Sequence, residues 1–178
     1  MVVEASRSPR RKKRNGIMNF TKWKQEAVSR LLEDDELMKL LYYSTEDCLA
    51  KKDVPMEVRE SLLNTQIFEY RYIDQIADKK KSYISMGLAN FVPQEGFRQF
   101  SDDYIQGYFY FYILVDRGII NTATGCRTDL IAGRIYEIFQ EQKVFGIGEA
   151  RLESLVELWQ QSNDFGGYTL GFRVVDMK

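Results

Sequence analysis

Histidine is absent from all 178 residues, cysteine occurs twice and proline three times. Without imidazole there is no triad built on a histidine base, no zinc motif of the His-Glu-x-x-His kind, no di-iron helix carrying Glu-x-x-His and no histidine phosphotransfer. Two cysteines, Cys48 and Cys126, cannot supply a zinc site of the usual four-ligand kind, and nothing about them points to an oxidising compartment. Long apolar runs are missing as well. The longest uncharged stretch in the middle of the chain, 104–115 (YIQGYFYFYILV), is shorter than the roughly 20 residues a helix needs to cross a bilayer, so no membrane contact is expected. The basic run near the N-terminus is followed by IMNFTKWKQ, which is not the apolar segment of a secretory signal, and this points to synthesis and assembly in a cytosol.

Charge is distributed unevenly. Residues 1–17 hold Arg7, Arg10, Arg11, Lys12, Lys13 and Arg14 against Glu4, which leaves −6 for the remaining chain given −1 overall. The body is therefore acidic and ill suited to gripping phosphate backbones, which are bound through Lys and Arg. Residues 1–17 read as a disordered basic arm or as a non-native extension preceding a natural start at Met18. Residues 18–178 read as one domain, large enough to bury roughly 70% of its unfolded surface. The eleven tyrosines and eleven phenylalanines suit strands and interfaces alike.

Hydrophobic spacing orders the body. Phe20, Trp23, Ala27, Val28, Leu31 and Leu32 form one helical stripe. Leu37, Met38, Leu40 and Leu41 form a second after the acidic break EDDE, which Asp34 or Asp35 would cap. Val58, Leu62, Leu63, Ile67 and Phe68 suggest a third helix, although IFEYRYI suits a strand equally. KKSYISMGLANFV and YFYFYILV read as two antiparallel strands joined by the turn-rich PQEGFRQFSDDY. Beyond Gly125, Leu130, Ile131, Ile135, Ile138 and Phe139 share a helical face, with Arg127, Arg134, Glu137 and Glu141 largely on the other and Thr128 as N-cap. GIGEARLESLVELW and YTLGFRVVDM supply two more strands, the last with Tyr168, Leu170, Phe172 and Val174 on one face. The expected fold is α+β: a mostly antiparallel sheet of about four strands, a long helix packed on one face, and N-terminal helices.

Candidate chemistry is sparse. The Gly-x-Gly of FGIGEARL follows a helix, lacks a third glycine and has no βαβ unit around it, which suits a bulge or a close backbone approach better than a nucleotide loop. The Asp-Phe-Gly within NDFGG lacks the other kinase elements, so Asp164 reads as a turn residue. The runs EDDE and SDDY lack the alternating oxygen positions of a calcium loop, and Cys126 beside Arg127 has no base to activate it. No cofactor or metal is expected, and a carboxylate-dependent enzyme stays open only as a rival.

YFYFYILVDRGIINT, the helix TGCRTDLIAGRIYEIF with Arg-x-Asp near its start, VFGIGEARLE and the final GGYTLGFRVVD together resemble the tail terminator and neck proteins of tailed bacteriophages. VSRLLEDDELMKLLYY is similar to the N-terminal helix of that group. The resemblance runs over about residues 20–177 in element order, with its motifs within 108–176. It implies a non-catalytic virion subunit closing into a ring, usually a hexamer, at the head-proximal end of the tail. There it would end tube polymerisation and join the tail to the neck, with tube, sheath and neck or connector proteins as partners and DNA passing through the lumen unbound. Six bodies would carry about −36, a charge that lets DNA slide if part of it faces the lumen. Asp116, Arg117, Thr124, Gly125 and Arg127 are the expected subunit or tube contacts. Another neck, head-completion or tube-associated protein, or a small protein-binding adaptor, remains the alternative.

Overall fold

The computed structural model describes residues 19–71, 80–93, 104–158 and 164–177; the basic arm 1–17 and the connection SDDY up to Asp103 lie outside these. Helix α1 (Phe20–Glu33) buries Trp23, Ala27, Val28, Leu31 and Leu32, and α2 (Asp35–Tyr42) buries Leu37, Met38, Leu40 and Leu41, as the spacing predicts. Asp34 separates them in an extended conformation, and its carboxylate accepts a hydrogen bond from the Leu37 amide at 2.8 Å, capping α2. Helix α3 (Met56–Ser61) follows Pro55. The chain then turns through Asn64 at φ 59°, and Ile67–Phe68 become strand β1, so the ambiguous third segment is a helix followed by a strand.

Strands β2 (Ser82–Pro93) and β3 (Tyr104–Asp116) pair antiparallel, with Ile84 opposite Ile113 and Met86 opposite Phe111. A small hairpin of β4 (Asn121–Thr122) and β5 (Gly125–Cys126) leads into α4 (Arg127–Phe139). Strands β6 (Arg151–Glu157) and β7 (Phe165–Met177) complete a sheet ordered β1-β2-β3-β7-β6, antiparallel except for β1 on β2. The fold is thus the expected α+β, with a fifth strand supplied by β1.

Period-two alternation in β3 divides the sheet faces. Phe109, Phe111, Ile113 and Val115 are fully buried in a core shared with α1, α2 and α4, while Tyr108, Tyr110 and Tyr112 point to the other face and are half-buried. Aromatic rings dominate the core. Phe109 stacks on Phe145 at 4.3 Å between centroids, Phe111 on Phe139 at 4.7 Å, and Phe172 meets Phe111 edge-on at 5.9 Å. The Gly-x-Gly marks a close backbone approach. Gly146 has φ 71°, a Cβ there would lie 2.2 Å from the Val175 carbonyl oxygen, and the Ile147 amide donates to that oxygen at 3.0 Å. Both cysteines are free thiols.

Candidate interaction surfaces

The loop between β3 and α4 gathers the residues singled out in the sequence, and they divide into an exposed set and a buried one. Asp116 ends β3 and turns the chain, its carboxylate accepting from the Gly118 amide at 2.7 Å. Arg117 is exposed, and its backbone amide donates to the Asp164 carbonyl at 2.9 Å. Thr124 and Gly125 are exposed at the hairpin tip. Thr122 holds that tip: its hydroxyl donates to the Gly125 carbonyl at 2.8 Å and accepts from the Gly125 amide at 3.2 Å. Gly125 has φ 149°, a conformation that favours glycine.

Arg127 lies elsewhere. Its side chain is fully buried, not on the polar face of α4 with Arg134, Glu137 and Glu141. The guanidinium donates to the carbonyls of Ile119 (2.8 Å), Leu40 (2.6 Å), Tyr43 (2.8 Å) and Thr45 (2.9 Å). The end of α2 leaves carbonyls without helical donors, and a guanidinium's planar fork of five N–H groups can satisfy several at once. The negative end of the α2 dipole favours the cation. Burial lowers the Arg127 pKa, and the Cys48 thiol beside it partly offsets this. Of the five expected contact residues, Arg127 alone has no exposed surface; it shapes the loop from inside. Nor does Thr128 cap α4. Its hydroxyl lies 2.9 Å from the Cys126 sulfur and 3.2 Å from Asp129 Oδ1, and Cys126 occupies the N-cap position.

On the sheet face turned away from α1, α2 and α4, three tyrosines form a row. Tyr108 and Tyr110 stack at 5.8 Å, and Tyr110 and Tyr112 at 6.1 Å. Glycines let the rings lie flat: a Cβ on Gly171 would meet Tyr110 at 2.8 Å, and one on Gly87 would meet Tyr112 at 3.1 Å. The Tyr108 hydroxyl donates to Glu153 at 2.9 Å, which holds its pKa above the ordinary value. Arg71 lies 5.1 Å from the centre of the Tyr112 ring, whose pKa is raised mainly by burial.

The third surface is an open groove of about 310 Å³ between α4 and the edge strand β6. Ala132, Gly133 and Tyr136 of α4 form one wall, and Leu152, Leu155, Tyr168 and Leu170 form the other. The lining is mostly apolar, and Leu155 and Tyr136 are 55% and 44% exposed. At one end Asp129 accepts a hydrogen bond from the Tyr168 hydroxyl and raises its pKa. Among the described residues β6 is the outermost strand of the sheet, and near its start the Leu152 amide donates to the Gln140 side-chain oxygen at 2.9 Å. Hydrophobic spacing does not reveal this groove. Its only traces there are Tyr136, which lies off the apolar stripe of α4, and the consecutive apolar pair Leu155–Val156 in a strand with polar neighbours.

Among the described residues, no three Cys, Asp or Glu side chains are placed to hold a metal ion, and no helix is long and apolar enough to cross a membrane. The model of the YomW family matches residues 34–174, which takes in α2 through most of β7 and all three surfaces. No curated protein matches the chain.

Proposed function

The chain belongs to the YomW family, which associates it with phages, and from that membership we propose that it is a structural virion protein acting by assembly. On this reading, copies close into a ring, a hexamer, at the head-proximal end of a phage tail, end growth of the tail tube and join the tail to the neck. Its partners are further copies of itself, the tube and sheath proteins below and the neck or connector above. DNA crosses the lumen without specific contacts, and the protein works without catalysis or cofactor. Its place is the virion tail or neck, assembled in the host cytoplasm.

The observation that carries the reading is the β6 edge with its apolar groove. Among the described residues no further strand lies beside β6, and the exposed Leu155 and Tyr136 line the apolar groove next to it, a surface that suits another polypeptide. The exposed Arg117 and the hairpin tip carrying Thr124 and Gly125, held in shape by Thr122, supply a second contact region. The test is a phage lacking the chain, viewed by electron microscopy. Tails of uncontrolled length without heads are expected, with gold label on a C-terminal tag in the complemented phage lying at the head–tail junction. Normal-length tails joined to heads in its absence would reject the proposal.

A further inference from the structure

The groove between α4 and β6 ends on a carboxylate whose charge is left standing. Asp129, in the first turn of α4, lines the groove and accepts from two hydroxyls, that of Thr128 at 3.2 Å and that of Tyr168. Both donors are neutral, so they fix the carboxylate without cancelling its charge. Glu157 of β6 lies opposite Tyr168 in the ladder and adds a second negative charge at the same end. No residue lining the groove is Lys or Arg. The cations that adjoin the lining residues in the chain are engaged elsewhere: Arg134 pairs with Asp34 and Glu137, and Arg151 with Glu149. Among the described residues, neither Asp129 nor Glu157 has an ion-pair partner.

We propose that the groove takes a segment of a different, basic protein, one that lays apolar side chains against Leu152, Leu155 and Leu170 and sets a Lys or Arg beside Asp129 and Glu157. This rests on the reading of the groove as a surface for another polypeptide and adds the chemistry of that partner. A volume of about 310 Å³ is at the low end for pockets that enclose a small ligand, roughly 300–1,000 Å³, and Leu155 and Tyr136 remain 55% and 44% exposed, so the groove suits side chains offered by a larger partner. The two carboxylates disfavour a fatty acid, a nucleic acid or an acidic segment at that end. Charge also argues against a second copy as the occupant. Residues 18–178 carry −6, and the exposed Met56 of another copy would arrive flanked by exposed Asp53, Glu57 and Glu60. A body of that sign draws basic partners, and the charged end of the groove sets their orientation.

The test is selection of random dodecapeptides by the immobilised full chain, followed by titration of the selected peptides. Peptides joining apolar residues to Lys or Arg are expected, and Leu155→Lys should no longer select them. Leu155 is more than half exposed, so this variant should keep the wild-type urea midpoint; Tyr136→Lys serves in its place if it does not. The double variant Asp129→Asn with Glu157→Gln should bind the selected peptides about fivefold more weakly and with less dependence on salt, since two exposed charge pairs are lost. Selection of peptides without basic residues, selection unchanged in Leu155→Lys, or no selection at all would overturn the assignment. Self-association of the wild type that Leu155→Lys abolishes would overturn it too, by making a second copy the occupant. None of these results touches the ring reading, which stands or falls on the tails of the phage lacking the chain.

Discussion

Arg127 and Leu40 stand 87 positions apart in the chain, and a buried hydrogen bond of 2.6 Å joins them. Through that contact and three others, one guanidinium ties the start of α4 to the end of α2 and to the loop that follows it. Replacing it with methionine keeps much of the volume and leaves buried carbonyls without donors, at roughly 1–3 kcal/mol each. Arg127→Met should lower stability by about 4 kcal/mol, read as a shifted urea midpoint with unchanged slope. Arg127→Lys should recover less than half of that, since an ammonium cannot reproduce the planar fork. A lysine variant as stable as wild type would refute this account.

Arg134 of α4 joins both carboxylate oxygens of Asp34, and Asp34 also caps α2. The bond to Asp34 raises the Arg134 pKa, with burial opposing it. Asp34→Asn keeps a cap acceptor and loses the charge, while Asp34→Ala loses both. The expected costs are about 1 and about 2 kcal/mol. A double-mutant cycle with Arg134→Ala should give a coupling of about 1 kcal/mol, allowing for solvent at the partly exposed Arg134. Equal losses for the Asn and Ala variants would remove the cap from the explanation.

Two glycines should respond in opposite directions to alanine. A Cβ on Gly167 would lie 1.8 Å from the Ile113 carbonyl oxygen, so Gly167→Ala must push β7 from β3 and should cost about 3 kcal/mol or more. Gly133 sits inside α4 with nothing within 4 Å of an added methyl, so Gly133→Ala should gain up to about 1 kcal/mol in thermal unfolding. Because Gly133 lines the groove, the same change should weaken peptide binding there while strengthening the subunit. Tighter binding would count against the groove as a docking surface.

Alkaline titration gives a signed prediction. Tyr108, Tyr112 and Tyr168 have pKa values raised above the ordinary 10.0, through Glu153, burial and Asp129 respectively. Above that value the unfolded chain gives up protons that the folded chain retains. Their stabilising contribution is thus complete below about pH 10 and is lost as pH rises through the raised values. Absorbance at 295 nm should show a late-titrating fraction of tyrosine, and the urea midpoint should fall above about pH 10. In Glu153→Gln, Tyr108 should titrate earlier.

Legibility in the sequence follows the reach of the interactions. Stripes such as Trp23–Ala27–Leu31 and the alternation of Phe109, Phe111 and Ile113 are local, and periodicity alone assigns their buried faces. Strand β1 escapes a firm assignment because it has two residues and exists only by pairing with Ile84 and Ser85 of β2. Helical phase puts Arg127 on a polar face because it says nothing about carbonyls contributed by α2. For the same reason the loop residues 116–125 can be named from the sequence, whereas the groove cannot: its walls come from α4, β6 and β7, and only tertiary packing brings them together.

The unequal borders of the sheet carry a consequence for safety in a crowded cell. Among the described residues one border is a seven-residue strand and the other a two-residue stub that runs parallel to its neighbour, whereas every other pair in the sheet is antiparallel. Backbone-to-backbone stacking of copies would need two long compatible borders and has only one, so endless cross-β growth has no template to repeat.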